Sequence, residues 1–158
     1  MARIEQAFAE FQHQRAGLGR PWTLALVAGG CLRAGMIDRG LATIEAGFAA
    51  AHAHGEAHWD AELHRLEGEL LFARPSSDPC EAQACVREAL AVARRQGAQS
   101  LELRAASSLC RMSESGEARA VLGDVLGRFT EGFSTRDLMD ATRLAQAGYA
   151  AAIPAAHA

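Results

Sequence analysis

Apolar residues recur along this chain at steps of three and four, most regularly between residues 59 and 109. Leu63, Leu66, Leu70 and Leu71 form one set, and Ala82, Val86, Ala89, Leu90 and Ala93 form the next. Such spacing gathers the apolar side chains on one face of a helix and leaves the opposite face to water. Between the two sets, Asp78-Pro79-Cys80-Glu81 has the chemistry of a helix start. Asp78 accepts from exposed N–H groups, Pro79 suits the first helical position, and Glu81 can reach back as in a capping box. Beyond the second set, Arg94 and Arg95 suit the negative end of a helix, and Gly97 suits a left-handed stop. Two helices joined by a short turn cannot bury such stripes alone. They need further pairs to stack on.

The same pattern predicts helices along the whole chain. A first, over residues 2–16, carries Ile4, Ala7, Phe8 and Phe11 on one face and ends at Gly17, Gly19 and Pro21. A second spans 22–34, and Asp38 is placed to cap a third over 39–53, with Ile44, Gly47, Phe48 and Ala51 inward and Gly55 as its stop. Helices over 59–72, 79–96, 100–111 and 116–128 follow. Phe129 and Phe133 then form an apolar corner expected to dock a last helix, 135–150, capped by Ser134 or Thr135. Residues 1–150 read as one domain, and 151–158 as a frayed tail.

Bulk properties narrow the function. A chain of 158 residues, 49% hydrophobic and 22% charged, is globular and long enough for a sizeable core. All 16 basic residues are arginine, and lysine and asparagine are absent, which excludes a phosphate-loop lysine and Schiff-base chemistry. A net charge of −3 opposes nucleic-acid binding, which requires clustered positive charge. Cys31, Cys80, Cys85 and Cys110 sit in apolar stripes without metal-ligand spacing and read as small buried thiols of a reducing cytoplasm. The N-terminus lacks the apolar run of a signal peptide, and residues 23–32 are too short to span a membrane. A soluble cytoplasmic protein is expected.

An internal repeat gives the fold expectation its shape. Stacked helical hairpins of the tetratricopeptide (TPR) kind need a small residue in the first helix and another twelve residues later, followed by a bulky one at +4. Ala28, Gly40, Ile44, Gly47 and Phe48 fit, as do Ala106, Ala118, Leu122, Val125 and Leu126. Gly68, Ala82, Val86, Ala89 and Leu90 fit with two extra residues at Ser76–Ser77. The expected architecture is an all-α, TPR-like α-solenoid of three hairpins with flanking N- and C-terminal helices. An irregular helical bundle is the competing reading.

Particular segments carry a resemblance. AELHRLEGELL (61–71), EAQACVREALAVARRQGAQSLELRAASSL (81–109) and FTEGFSTRDLMDA (129–141) resemble the C-terminal TPR region of large bacterial signalling proteins. In those proteins an adenylate/guanylate cyclase or other regulatory domain precedes an ATPase module and then the repeats. GMIDRGLATIEAGFAAAHAHGE (35–56) is similar to the preceding repeat, so the likeness spans about residues 5–146. The turn between Cys110 and Glu117 is shorter than in that family, which implies a helix before it reduced by about one turn. Nothing in the chain resembles the cyclase or the ATPase. The resemblance therefore implies a repeat scaffold making signal-dependent protein contacts, with no enzymatic activity.

Candidate chemistry is sparse. His52, His54, Glu56, His58 and His64 are the most metal-like cluster, but Gly55 interrupts the helical spacing that two histidine ligands need, and a solvated helix end explains them more simply. Neither a metal nor another cofactor is expected. Glu102 and Arg104 read as an inter-hairpin salt bridge rather than a catalytic pair, since no nucleophile and base accompany them. In stacked hairpins the first helices line the concave face. That places Glu62, Arg65, Glu69 and Phe72 beside Trp22, Leu32, Leu103, Ser107 and Cys110 in a groove for a peptide or protein partner, with Phe72 and Leu103 as exposed anchors. Glu62–Arg65 and Arg65–Glu69 read equally as ordinary helix-surface pairs. The alternative function is a sensor that encloses a small-molecule effector, for which a deep pocket with buried polar groups would speak. The apolar face over residues 4–11 invites a second copy of the chain.

Overall fold

The structure, a computed structural model, describes residues 19–113 and 115–151, with side chains up to residue 147. The expected helix over 2–16, its apolar face and the tail beyond 151 lie outside the described residues. The rest is all-α, with no strand among the described residues. Seven α-helices follow one another: α1 (Arg20–Arg33), α2 (Ile37–His54), α3 (Asp60–Ala73), α4 (Pro79–Gln96), α5 (Gln99–Met112), α6 (Gly116–Leu126) and α7 (Arg136–Ala151). A single 3-10 turn, Ala57–Trp59, leads into α3. No described helix is long and apolar enough to cross a membrane.

Helix ends form where local chemistry satisfies the orphan backbone groups. The Asp78 carboxylate accepts from the Cys80 N–H at 2.8 Å with Pro79 opening α4, and Gly97 closes that helix at φ +64°. Ser115 accepts from the Ala118 N–H at 3.2 Å and starts α6. One expectation changes: Met36, not Asp38, occupies the N-cap of α2; Asp38 lies in the first turn and pairs with Arg74 at 3.2 Å. Helix α5 runs for 14 residues and ends where Ser113 is extended.

Packing follows alternation along the chain. Each of α1, α3 and α5 touches the next odd-numbered helix, while α2, α4 and α6 lie against the odd-numbered helices that precede and follow them. The closest approaches coincide with small residues. A Cβ placed on Gly68 of α3 would lie 2.5 Å from Val86 Cγ2 and 2.7 Å from the Ala82 carbonyl oxygen of α4. On Gly40 of α2 it would lie 2.5 Å from Leu70 Cδ2, and on Gly47 2.7 Å from Leu63 Cδ2. Ala28 and Ala106 are wholly buried in α1 and α5. Leu63, Leu66 and Leu70 join Ile44 and Ala28 in one core cluster, and Leu122, Val125, Leu138 and Leu103 join in another.

The aromatic corner and the cysteines differ in part from expectation. Phe129 packs on the core beside Leu138, whereas Phe133 is 61% exposed and docks nothing. Cys31 and Cys110 are buried, Cys85 is half-buried and Cys80 is exposed; all four are free thiols. Cys80 sits at the second position of α4, where the chain has just left the solvent-facing turn. Burial, reinforced by the charge and hydrogen bond of Glu67 and the charge of Glu81, pushes the Cys85 thiol up to about 11, which leaves it protonated near neutrality.

Gly68→Ala is expected to destabilise the fold by about 1–3 kcal/mol, because the methyl group meets backbone that cannot rotate away. Gly123→Ala, in α6 with nothing within 4 Å of the added carbon, is expected to stabilise by about 0.5–1 kcal/mol through helix propensity alone. Urea denaturation of the two variants checks the opposite signs.

Candidate functional site

The odd-numbered helices each present one stripe, at steps of three and four, to a common groove of about 400 Å³. Leu26, Gly29 and Arg33 come from α1, Glu62, Arg65 and Glu69 from α3, Arg104, Ser107 and Arg111 from α5, and Asp137 and Asp140 from α7. These positions share a face because a helix turns by about 3.6 residues.

Arg65 sits at the centre. Its Nε and Nη2 donate to the two Glu62 oxygens at 2.8 and 2.7 Å, a bidentate pair, and its Nη1 lies 2.9 Å from Glu69 Oε1. The wholly buried Ser108 hydroxyl donates to Glu69 Oε1 at 2.6 Å and accepts from Arg111 Nη2 at 3.1 Å. Arg111 Nη2 also reaches Glu69 Oε1 at 2.8 Å. Arg104 joins the helices further along, with Nη1 3.5 Å from Glu62 and Nε 2.6 Å from Asp137. Charges therefore alternate across α3, α5 and α7, and the two buried or half-buried glutamates of the groove, Glu62 and Glu69, are each hydrogen-bonded. Leaving one of them unpaired is the costly alternative.

The electrostatics follow from this geometry. Burial opposes charge on Arg65, but the hydrogen bonds and charges of Glu62 and Glu69 outweigh it and hold its pKa above the usual arginine value. Burial likewise opposes charge on Glu69, and the charge of Arg65, the Ser108 hydroxyl and Arg111 together hold its carboxyl below the ordinary 4.5. Four arginines (Arg33, Arg65, Arg104 and Arg111) and four carboxylates (Glu62, Glu69, Asp137 and Asp140) line the groove, so its charges balance, and two further arginines outside the lining, Arg136 and Arg143, pair with Asp140. Arg33 alone among these six makes no ion pair with a described residue; the other five are engaged.

Six of the eight residues picked from sequence line this groove: Leu32, Glu62, Arg65, Glu69, Leu103 and Ser107. Trp22 and Phe72 do not. Trp22 packs its ring against Trp59, with centroids 6.3 Å apart, and Phe72 is exposed near the end of α3. Leu103, expected as an exposed anchor, is 1% exposed, and Cys110 belongs to the core. On α5, Arg104 and Arg111, polar interruptions in an apolar helix, line the groove beside the expected Leu103 and Ser107. Leu26, 54% exposed, is the apolar residue of the wall that sequence reasoning passed over, together with Arg33, Asp137 and Asp140. Their three- and four-residue steps carried the signal.

The remaining candidates have structural explanations. Glu102, 3% exposed, receives Arg94 Nε at 2.8 Å and Arg128 Nη2 at 2.6 Å on the same oxygen, tying α4 to the turn after α6. Arg104 points elsewhere, into the groove, so the two neighbours do not pair with each other. His64 stacks on Phe48 and lies 3.4 Å from Glu67, His52 and His54 are exposed, and buried Glu56 accepts from the Gly19 N–H at 2.9 Å. Among the described residues no group of three or more His, Cys, Asp or Glu is placed to hold a metal ion. In comparisons with protein-family models, curated proteins and solved structures, nothing matches this chain.

Because the folded pKa of Glu69 is depressed, its stabilising contribution is complete above the ordinary pKa of 4.5 and is lost as pH falls through the lower folded value. Glu69→Gln is therefore expected to cost about 1.5–3 kcal/mol at neutral pH and to flatten the acid limb of the stability profile. Glu102, depressed in the same direction against its own burial by Arg128 and Arg94, keeps the rest of that slope. Thermal unfolding of both proteins between pH 2 and 7 provides the measurement, ~0.5 pH steps being fine enough to resolve a one-group difference.

Proposed function

We propose that this chain is a non-catalytic interaction module of a bacterial signalling system, a TPR-like α-solenoid that holds a protein partner on the face formed by α1, α3, α5 and α7. What carries the reading is that four helices, far apart in sequence, each give one residue stripe to a single open groove. The small residues at Ala28, Gly40, Gly47, Gly68 and Ala106 lie at close helix approaches, as the repeat pattern requires. The groove combines an exposed apolar wall residue, Leu26, with arginines that are only partly engaged. Apolar anchors rimmed by oriented polar groups are what a peptide or partner helix uses.

A second reading, an effector-sensing helical domain, draws support from two features. The groove volume falls in the range of small-ligand sites, and its lining contains the buried polar residues Glu62 and Ser107. Glu62 is spent on Arg65 and Arg104, so the partner-binding reading is preferred.

Affinity capture from native lysate with the parent, a Leu26→Asp variant and a Phe133→Ser control separates the readings. The expected result is a protein retained by parent and control and lost from Leu26→Asp, with the fold of each checked by circular dichroism. Equal retention on all three baits would remove the groove from consideration. If no protein is retained and a metabolite raises the melting temperature of the parent only, the sensor reading takes its place.

A further inference from the structure

We propose that the apolar stripe of residues 2–16 docks on the side of α1 formed by Thr23, Val27 and Gly30, and closes that edge of the helical stack. The inference is independent of the partner-binding reading.

Two sides of α1 are accounted for by its neighbours. Leu24 and Cys31 face α2, their Cβ atoms 3.6 and 3.4 Å from where side chains on Gly47 and Gly40 would begin. Ala25 and Gly29 face α3: Ala25 shares a core cluster with Leu63 and Leu66, and a Cβ on Gly29 would lie 3.7 Å from Leu66 Cδ2. A helix turns by about 100° per residue, so Gly30 points about 100° or more away from all four. Thr23 and Val27 precede it at steps of four and three, and make one stripe with it. The described elements packed on α1 are α2, α3 and the 3-10 turn. Yet Gly30 is buried and Val27 is 7% exposed. Glycine has no side chain to fold over its own Cα, and the flanking Leu26 and Arg33 are exposed. Burial at Gly30 therefore calls for a neighbour beyond α2 and α3.

Connectivity and pattern select the occupant. Residues 1–18 lead directly into α1, and Ile4, Ala7, Phe8 and Phe11 recur at helical spacing on one face. Gly19, at φ +78° and with its N–H on Glu56 Oε2 at 2.9 Å, fixes the point at which the chain turns. A helix over 2–16 would span about 22 Å and α1, with 14 residues, spans about 21 Å, so an antiparallel pair matches end to end. Counted back from the Gly17–Gly19 turn, Phe8 falls about level with Val27, and Ala7 with Gly30. Attachment through so short a turn gives the segment an effective concentration of about millimolar or more, which a second copy at micromolar protein does not match. Leu26, on the adjacent side, keeps its 54% exposure, so the groove stays open.

Hydrogen exchange on the unaltered chain and a double-mutant cycle test the assignment together, with light scattering to follow the oligomeric state. Amides of residues 4–11 in the monomer are expected to exchange at least about 100-fold more slowly than in an unfolded chain. Phe8→Ala and Val27→Ala are each expected to lower the urea midpoint, and the double variant to lower it by less than the sum, because both remove one contact. Phe133→Ser, at a residue 61% exposed, is expected to leave the midpoint in place. Unprotected amides over 4–11, or a midpoint indifferent to Phe8→Ala, would overturn the assignment. Additive shifts would overturn it as well, since they place Phe8 away from Val27. Protection that appears only as a dimer forms would name a second copy as the occupant, with the same consequence. If Val27→Ala fails to fold, the exchange result on the unaltered chain decides alone.

Discussion

Helix α3 has no room to move against α4, and the arrangement around it depends on that constraint. At Gly68 the two helices approach until only hydrogen fits between the α3 backbone and Val86 and the Ala82 carbonyl of α4. On its other flank α3 sends Leu63 and Leu70 over Gly47 and Gly40 of α2. With its rotation fixed from two sides, α3 aims Glu62, Arg65 and Glu69 toward α5 and nowhere else. The glycines, poor helix formers in isolation, are tolerated because the dispersion and burial gained by close packing outweigh their propensity cost of about 1 kcal/mol each.

That aim turns a weak surface motif into a structural one. Glutamate and arginine at steps of three and four on an exposed helix contribute only tenths of a kcal/mol. Here the stripe is covered by α5, and Ser108, Arg111 and Arg104 complete the coordination of its carboxylates. A network so placed orients neighbouring helices, since each link has a preferred geometry and each broken link strands a buried charge. Asp137 extends the alternation to α7, so the last helix is held by charge as well as by Leu138 and Ala141 in the core.

Much of the secondary structure was legible because its signals are local. Asp78-Pro79 at one end of α4 and Gly97 at the other specify a start and a stop that need no neighbours. The positions of close approach were legible too, since a small residue amid bulky ones marks a helix crossing. The face of α5 was not. Leu103 and Cys110 look like exposed groove residues on an isolated helix, yet both are buried in the core with α6 and α7; Leu103 lines the groove without being exposed, and Arg104 and Arg111 join it there. Apolar periodicity locates a stripe to within about one residue, or 100°, and the choice between adjacent positions rests on what packs against it.

The sequence by itself determined an all-helical chain, nearly all of its helix boundaries, the small residues at the crossings and the absence of lysine chemistry, because each follows from bonding and sterics within a few residues. Only the tertiary structure decided which side chains share the groove. It gave Glu69 three donors from two helices and left Arg33 without an ion-pair partner among the described residues. It also turned Trp22 toward Trp59 and left Phe133 in solvent. These outcomes depend on distances between residues more than thirty positions apart, and such distances are set by helix packing, on which local periodicity is silent.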